Sequence, residues 1–185
     1  MNHPDVVRVL YGHEQPGEEE LEQAVRALNE AVASTRSQRR LKLVIVGHVR
    51  GSLHRSLVRP WDTERERRVT LESYHTIEAM NAGGPVCDAM YIGSGGECDL
   101  ELLSVAMTEA LPIITPKTGF IHQLVGDTGF HYNPNEAASL ERASRSALFD
   151  GPDRAMSLRQ PGSALQTTWD SAAASHVAWF QRVAR

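Results

Sequence analysis

The chain has few cysteines, no apolar run long enough to cross a bilayer, no excess of positive charge and no internal repeat. The second absence argues against a bilayer-spanning helix. Two cysteines, Cys87 and Cys98, with no secretory leader, fit a reducing cytosol and predict no disulfide, so a cytoplasmic location is expected. A net charge of −4 provides no field to hold a phosphate backbone, which argues against general nucleic-acid binding. The eight histidines show no spacing typical of a metal site, and Cys98 has no Cys or His close by in sequence, so neither a structural metal nor another cofactor is expected. At 185 residues the chain is long enough for one well-buried domain, expected to span 1–185.

What is present is a repeated exchange of strand and helix patterns. Val6 to Tyr11 reads as a strand, and after Pro16-Gly17 the residues Leu21, Val25, Leu28 and Val32 recur at helical spacing. Glu18, Glu19 and Glu20 suit the positive end of that helix, and Glu22 is spaced to pair with Arg26. Leu41 to Gly47 is a nearly continuous apolar run ending in glycine, as expected of a central parallel strand. The stretch 48–68 is irregular and basic, and is expected to be a long loop. Val69 to Leu71 predicts a strand, His75 to Asn81 a short helix and Cys87 to Ile92 another strand. Pro112 to Thr115 and Gly129 to Tyr132 supply later strands, each preceded by helical sequence. Residues 163–185 predict a closing helix with Leu165, Trp169, Ala172, His176, Trp179 and Val183 on one stripe, a pattern that core packing alone explains. Alternating strands and helices predict an α/β fold: one Rossmann-like lobe, a parallel sheet with helices on both faces.

The segment Cys87 to Pro112 carries the chemistry. An apolar run ends in Gly93-Ser94-Gly95-Gly96, Glu97 follows, and Val105-Ala106-Met107-Thr108-Glu109-Ala110-Leu111-Pro112 leads into the next strand. This order resembles the C-terminal lobe of the two-lobed (GT-B) glycosyltransferases, especially the retaining family 4 enzymes, where a glycine-rich acidic loop precedes a Glu-Ala-Met-Ala-x-Gly-x-Pro helix. Glu97 matches the first acid of that pattern. The second acid falls eight positions on, where this chain has Val105. In the family the first acid faces the donor sugar and the second bonds the nucleotide ribose, a role valine cannot fill. The tail also resembles the family's Trp-led closing helix.

Elementary chemistry agrees with such a site. In an open α/β sheet ligands bind at the carboxyl ends of strands, where helix N-termini present N–H groups to anions. Gly93, Gly95 and Gly96 can adopt backbone angles that bring N–H groups close to a phosphate or a sugar hydroxyl. The same Ser-Gly-Gly run also suits a plain tight turn. The resemblance implies Glu97 as the catalytic residue and Gly12, His13, Gly47, His48, Ser94, Gly95, Gly96 and Leu100 as donor-binding residues, with no metal. His48 at a strand end is equally suited to a structural hydrogen bond.

The expected cations are missing. Charge builds on the leaving diphosphate as the glycosidic bond breaks, and losing one electrostatic donor costs about 3 kcal/mol. The family has an Arg after the first strand and a Lys soon after, whereas Tyr11 to Gly17 has His13 at the Arg position and no lysine. His13 is mostly neutral at pH 7. Arg50, Arg55, Arg59, Arg65, Arg67 and Arg68 either reach the site from the 48–68 loop or lie in solvent. His122, with Gln123 as the alternative match, stands close to where the family has another carboxylate. Two functions remain open: a split or accessory subunit of a retaining hexosyltransferase, which binds a nucleotide-diphosphate sugar and needs a partner protein with the acceptor lobe, or a non-catalytic binding or protein-interaction module derived from a glycosyltransferase.

Overall fold

The computed structural model describes residues 6–12, 17–33, 40–46, 69–74, 87–93 and 98–151. The predicted helices at 75–81 and 163–185 and the 48–68 loop lie outside them. Strand β1 (Val6–Tyr11) buries Val7, Val9 and Tyr11 on one face and Leu10 on the other. Strand β2 (Arg40–Val46) likewise divides Leu41, Leu43 and Ile45 from Val44 and Val46. Successive side chains of a strand point to opposite faces, so a run apolar at nearly every position requires cover on both. Helix α1 (Glu18–Ala33) covers the first face with Leu21, Ala24, Val25, Leu28 and Val32. Its three leading glutamates sit at the positive end of the helix dipole, and Glu22 meets Arg26 at 3.4 Å in an exposed pair.

The remaining elements are β3 (Val69–Tyr74), β4 (Ala89–Tyr91), α2 (Leu100–Thr108), β5 (Ile113–Pro116), α3 (Gly119–Val125), a 3-10 turn at Gly126–Thr128, β6 (Phe130–Tyr132) and α4 (Ala137–Asp150). All strand pairs are parallel, in the order β3-β2-β1-β4-β5-β6. Helices α1 and α4 pack on one face of this sheet, α2 and α3 on the other. The expected single Rossmann-like frame with helices on both faces is therefore what forms.

Several boundaries differ from the sequence reading. β3 runs on to Tyr74 because β2 offers partners as far as Val46, and the polar Glu72 is accommodated by Lys42, whose Nζ lies 2.9 Å from its carboxylate. β4 begins at Ala89 rather than Cys87. There the Asp88 carboxylate accepts the Arg8 N–H at 2.8 Å, while the Asp88 N–H donates to the Arg8 carbonyl at 2.7 Å. A side-chain acceptor thus replaces the ladder at that point. Helix α4 follows the last described strand and was not anticipated; it buries Leu140, Ala143, Ser144 and Ala147, mostly small residues that give a weak periodic signal.

Helix α2 is closed at both ends by its own residues. Asp99 Oδ1 accepts from the N–H groups of Glu101 at 2.8 Å and Leu102 at 3.2 Å. At the other end Ala110 N–H donates to the Met107 carbonyl at 3.0 Å and Leu111 N–H to that of Ala106 at 2.8 Å, the Schellman arrangement. Ala110 takes the left-handed conformation there, at φ 55°, where glycine is usual.

Candidate functional site

Strand order reverses between β1 and β4, which leave the sheet centre in opposite directions, so the crevice at their carboxyl ends is where a ligand is accommodated in this architecture. Gly12 follows β1 directly. Its N–H donates to the Tyr91 carbonyl at 2.8 Å and its carbonyl accepts from Asp99 N–H at 2.8 Å, so it ties the ends of β1 and β4 to the start of α2. A Cβ on Gly12 would stand 2.8 Å from Met90 Cε, 3.2 Å from the Tyr91 carbonyl oxygen and 3.3 Å from Cys98 Sγ. Glycine is needed here for close approach. Across the crevice Gly93 faces the carboxylate of Glu20, whose Oε1 would lie 2.0 Å from an added Cβ.

The last residues of β1, β4 and β6 are tyrosines, all buried. Tyr132 Oη donates to the Ile92 carbonyl at 2.9 Å, so in the 3.3 Å contact between the two hydroxyls Tyr91 is the donor. Tyr91 and Tyr132 stack with ring centres 6.0 Å apart, and Tyr11 meets Tyr91 at 5.5 Å with the planes tilted by 52°. Burial pushes the Tyr91 phenol up to about 12, and raises Tyr11 and Tyr132 further, with the Glu20 carboxylate adding to both. These are structural hydroxyls at neutral pH, not acids or bases.

Beside this cluster a cavity of about 430 Å³ opens between α1 and the link from β6 to α4. Tyr91 and Tyr132 line it together with Glu19, Glu22, Arg26, Glu30 and Glu136. The α1 members recur at helical spacing beside the apolar stripe, the one signal by which the sequence marks them.

Of the residues expected to bind a donor, the structure brings Gly12 and Leu100 together at the β1 and β4 ends, through the Gly12–Asp99 hydrogen bond. Leu100 opens α2 with its side chain 54% exposed, and Phe120 in the first turn of α3 is 60% exposed. His13, Gly47, His48, Ser94, Gly95, Gly96 and Glu97 lie outside the described residues. Val105 is half-buried and packs on the apolar cluster beneath α2. His122 turns toward His131, with the two Nδ1 atoms 3.1 Å apart. Asp99, unremarked in the sequence reading, occupies the helix N-terminus with the protein's own carboxylate; an Asp just ahead of an apolar helical pattern is a readable signal for such a cap. Among the described residues of the connections that directly follow β1, β4, β5 and β6, Lys117 is the only Lys or Arg. Cys98 Sγ donates to the Asp99 carbonyl at 3.3 Å, and burial raises the Cys98 and Cys87 thiols to about 12, so neither is a thiolate at neutral pH. Both cysteines are free. No three His, Cys, Asp or Glu side chains among the described residues form a metal cage, and no described helix is long and apolar enough to cross a membrane.

No protein-family profile matches the sequence, and no curated protein matches it. Solved structures do. A glycosyltransferase from Rickettsia africae superposes with a TM-score of 0.65 at 12% identity, over 99% of this chain and 49% of that one. HepE from Anabaena, solved with UDP and glucose, gives 0.60 at 19% identity over 86% of this chain and 44% of its own. The pneumococcal O-GlcNAc transferase GtfA, solved with UDP and GlcNAc, gives 0.62 at 13% identity over 88% and 33%. The fold is that of a single lobe of the GT-B glycosyltransferases, and the chain spans less than half the length of each of these three structures.

Proposed function

We propose that this chain is the nucleotide-sugar-binding lobe of a split glycosyltransferase, which works with a partner protein that supplies the acceptor lobe. The observation that carries this reading is the β1/β4 crevice, with Gly12 and Gly93 on its two sides in a lobe that spans less than half of each of its structural neighbours. A nucleoside diphosphate sugar in the crevice would lie against Gly12, Gly93 and the start of α2, with Glu97 as the acid facing the sugar. By themselves these 185 residues are expected to transfer no sugar, because they form one lobe of a two-lobed fold and Val105 bonds no ribose hydroxyl.

Val105 and Glu20 favour a second reading, a non-catalytic module. One acid is absent where the ribose would be held, and another stands against Gly93 where a diphosphate would approach. Calorimetric titration with UDP separates the two. Each charged hydrogen bond restored by Val105→Glu contributes about 1.5–3 kcal/mol, a gain of ten-fold or more in affinity, provided the new acid reaches the ribose rather than the apolar cluster. Tighter binding by the variant supports the inherited site. No binding by either folded form leaves the module as the better account.

A further inference from the structure

A pair of imidazoles joins α3 to the edge strand β6, away from the β1/β4 crevice. His131 Nε2 lies 2.7 Å from the Gly126 carbonyl oxygen, which can only accept, so Nε2 carries the proton and the neutral ring has its lone pair on Nδ1. That lone pair faces His122 Nδ1 at 3.1 Å. Yet the ring centres are 4.3 Å apart and the planes meet at 88°, so the two nitrogens come close without the rings meeting end to end. An N–H···N bond prefers a straight approach. Both side chains are half-buried, so each keeps part of its surface toward solvent.

We propose that His122 and His131 form a two-ligand site for a divalent transition ion such as Zn²⁺ or Ni²⁺, with water in the remaining positions. Imidazole nitrogen suits these ions. With metal–nitrogen bonds of about 2.0–2.1 Å, two nitrogens at the observed separation subtend roughly 95–100° at the ion, close to a cis pair. The Gly126 carbonyl already does what outer partners of metal-bound histidines do: it fixes the tautomer and turns Nδ1 toward the site. Binding requires one rearrangement. The His122 proton leaves Nδ1 and Nε2 takes one from solvent, so no net proton is released, and the hydrogen bond between the rings gives way to two nitrogen–metal bonds. The bound ion fastens α3 to β6 across the 3-10 turn, and acid displaces it because both ligands must be neutral.

The test is a Zn²⁺ titration of the untagged chain followed by nitrogen-15 spectra of the imidazoles. His122 and His131 Nδ1 signals are expected to shift together and saturate at one ion per chain, before any other histidine responds, with a concurrent rise in Tm. His122→Gln is expected to weaken Zn²⁺ binding roughly ten-fold or more and to remove the rise in Tm, since a single imidazole lacks the second, pre-positioned ligand. Circular dichroism checks that this half-exposed position on α3 leaves the fold intact. A titration in which other histidines respond first, or a folded His122→Gln chain binding Zn²⁺ within two-fold of the parent, would overturn the proposal. The parent spectra decide the matter even if the variant fails to fold.

Discussion

On the α1/α4 face the strands end in Tyr11, Tyr91 and Tyr132, hydrogen-bonded or packed beneath a 430 Å³ cavity, whereas on the α2/α3 face Leu10, Val44, Val46, Met90, Ile92 and Ile113 meet Leu102, Leu103, Ala106 and Met107 in an apolar core. Helix α2 is therefore bound into the more apolar side. Position 105 contributes to that packing, so its valine has a structural use. The other side has the opposite character: its hydroxyls lie at strand ends, where those of Tyr91 and Tyr132 find acceptors as they leave water.

The sharpest break in this comparison comes from truncating one leucine on each face. Leu103→Ala, fully buried under α2, is expected to lower stability by about 2–5 kcal/mol in urea denaturation. Leu140→Ala, which lines the existing cavity, is expected to cost distinctly less because the space it vacates joins one already open. Equal costs would mean that the cavity side is as tightly packed as the other. Tyr132→Phe removes the donor to the Ile92 carbonyl and the acceptor for Tyr91, at a cost of about 1–3 kcal/mol by the same measurement.

Alkaline titration addresses the tyrosines as a group. Tyr91 ionises normally near 10 and in the fold near 12, so its contribution is fully present below pH 10 and is lost as pH rises toward 12. Stability measured across that interval should fall, and Tyr91→Phe should flatten the fall; an unchanged slope would place the raised pKa elsewhere. On α2, Asp99→Ala is expected to cost about 1 kcal/mol through loss of the cap. Ala110→Gly should act in the other direction, raising the melting temperature, because relief of the left-handed alanine is of order 1–2 kcal/mol and exceeds the added flexibility of the unfolded chain. The smallest effect belongs to Arg145→Ala, which breaks a solvent-facing pair with Glu141 and is expected to change stability by less than about 1 kcal/mol.

Much of the frame was legible because apolar runs and helical spacing report burial directly. β1 matches its expected bounds, the apolar stripe of α1 is the one that packs, and the β2 run, apolar at nearly every position, is covered on both faces. Elements with weaker signals escaped or shifted. α4 relies on alanine and serine to approach α1 closely, and β4 loses two residues to the Asp88 carboxylate, which no hydropathy pattern registers. The site was legible only in part: Gly12 is where a close approach is needed, but its partners, Tyr91 and Asp99, come from segments about 80 residues away. Glu20 against Gly93 was invisible for the same reason, whereas His122 and His131, nine residues apart, meet only through the turn between α3 and β6.

By itself the sequence determined a parallel α/β lobe with both faces covered, because side-chain periodicity and the need to bury apolar surface are local properties of the chain. Only the tertiary structure decided the strand order β3-β2-β1-β4-β5-β6, and with it the crevice between β1 and β4 and the tyrosine cluster. Strand order depends on which crossovers lead left or right of β1, a choice made by packing between distant segments, and periodicity along the chain contains no record of it.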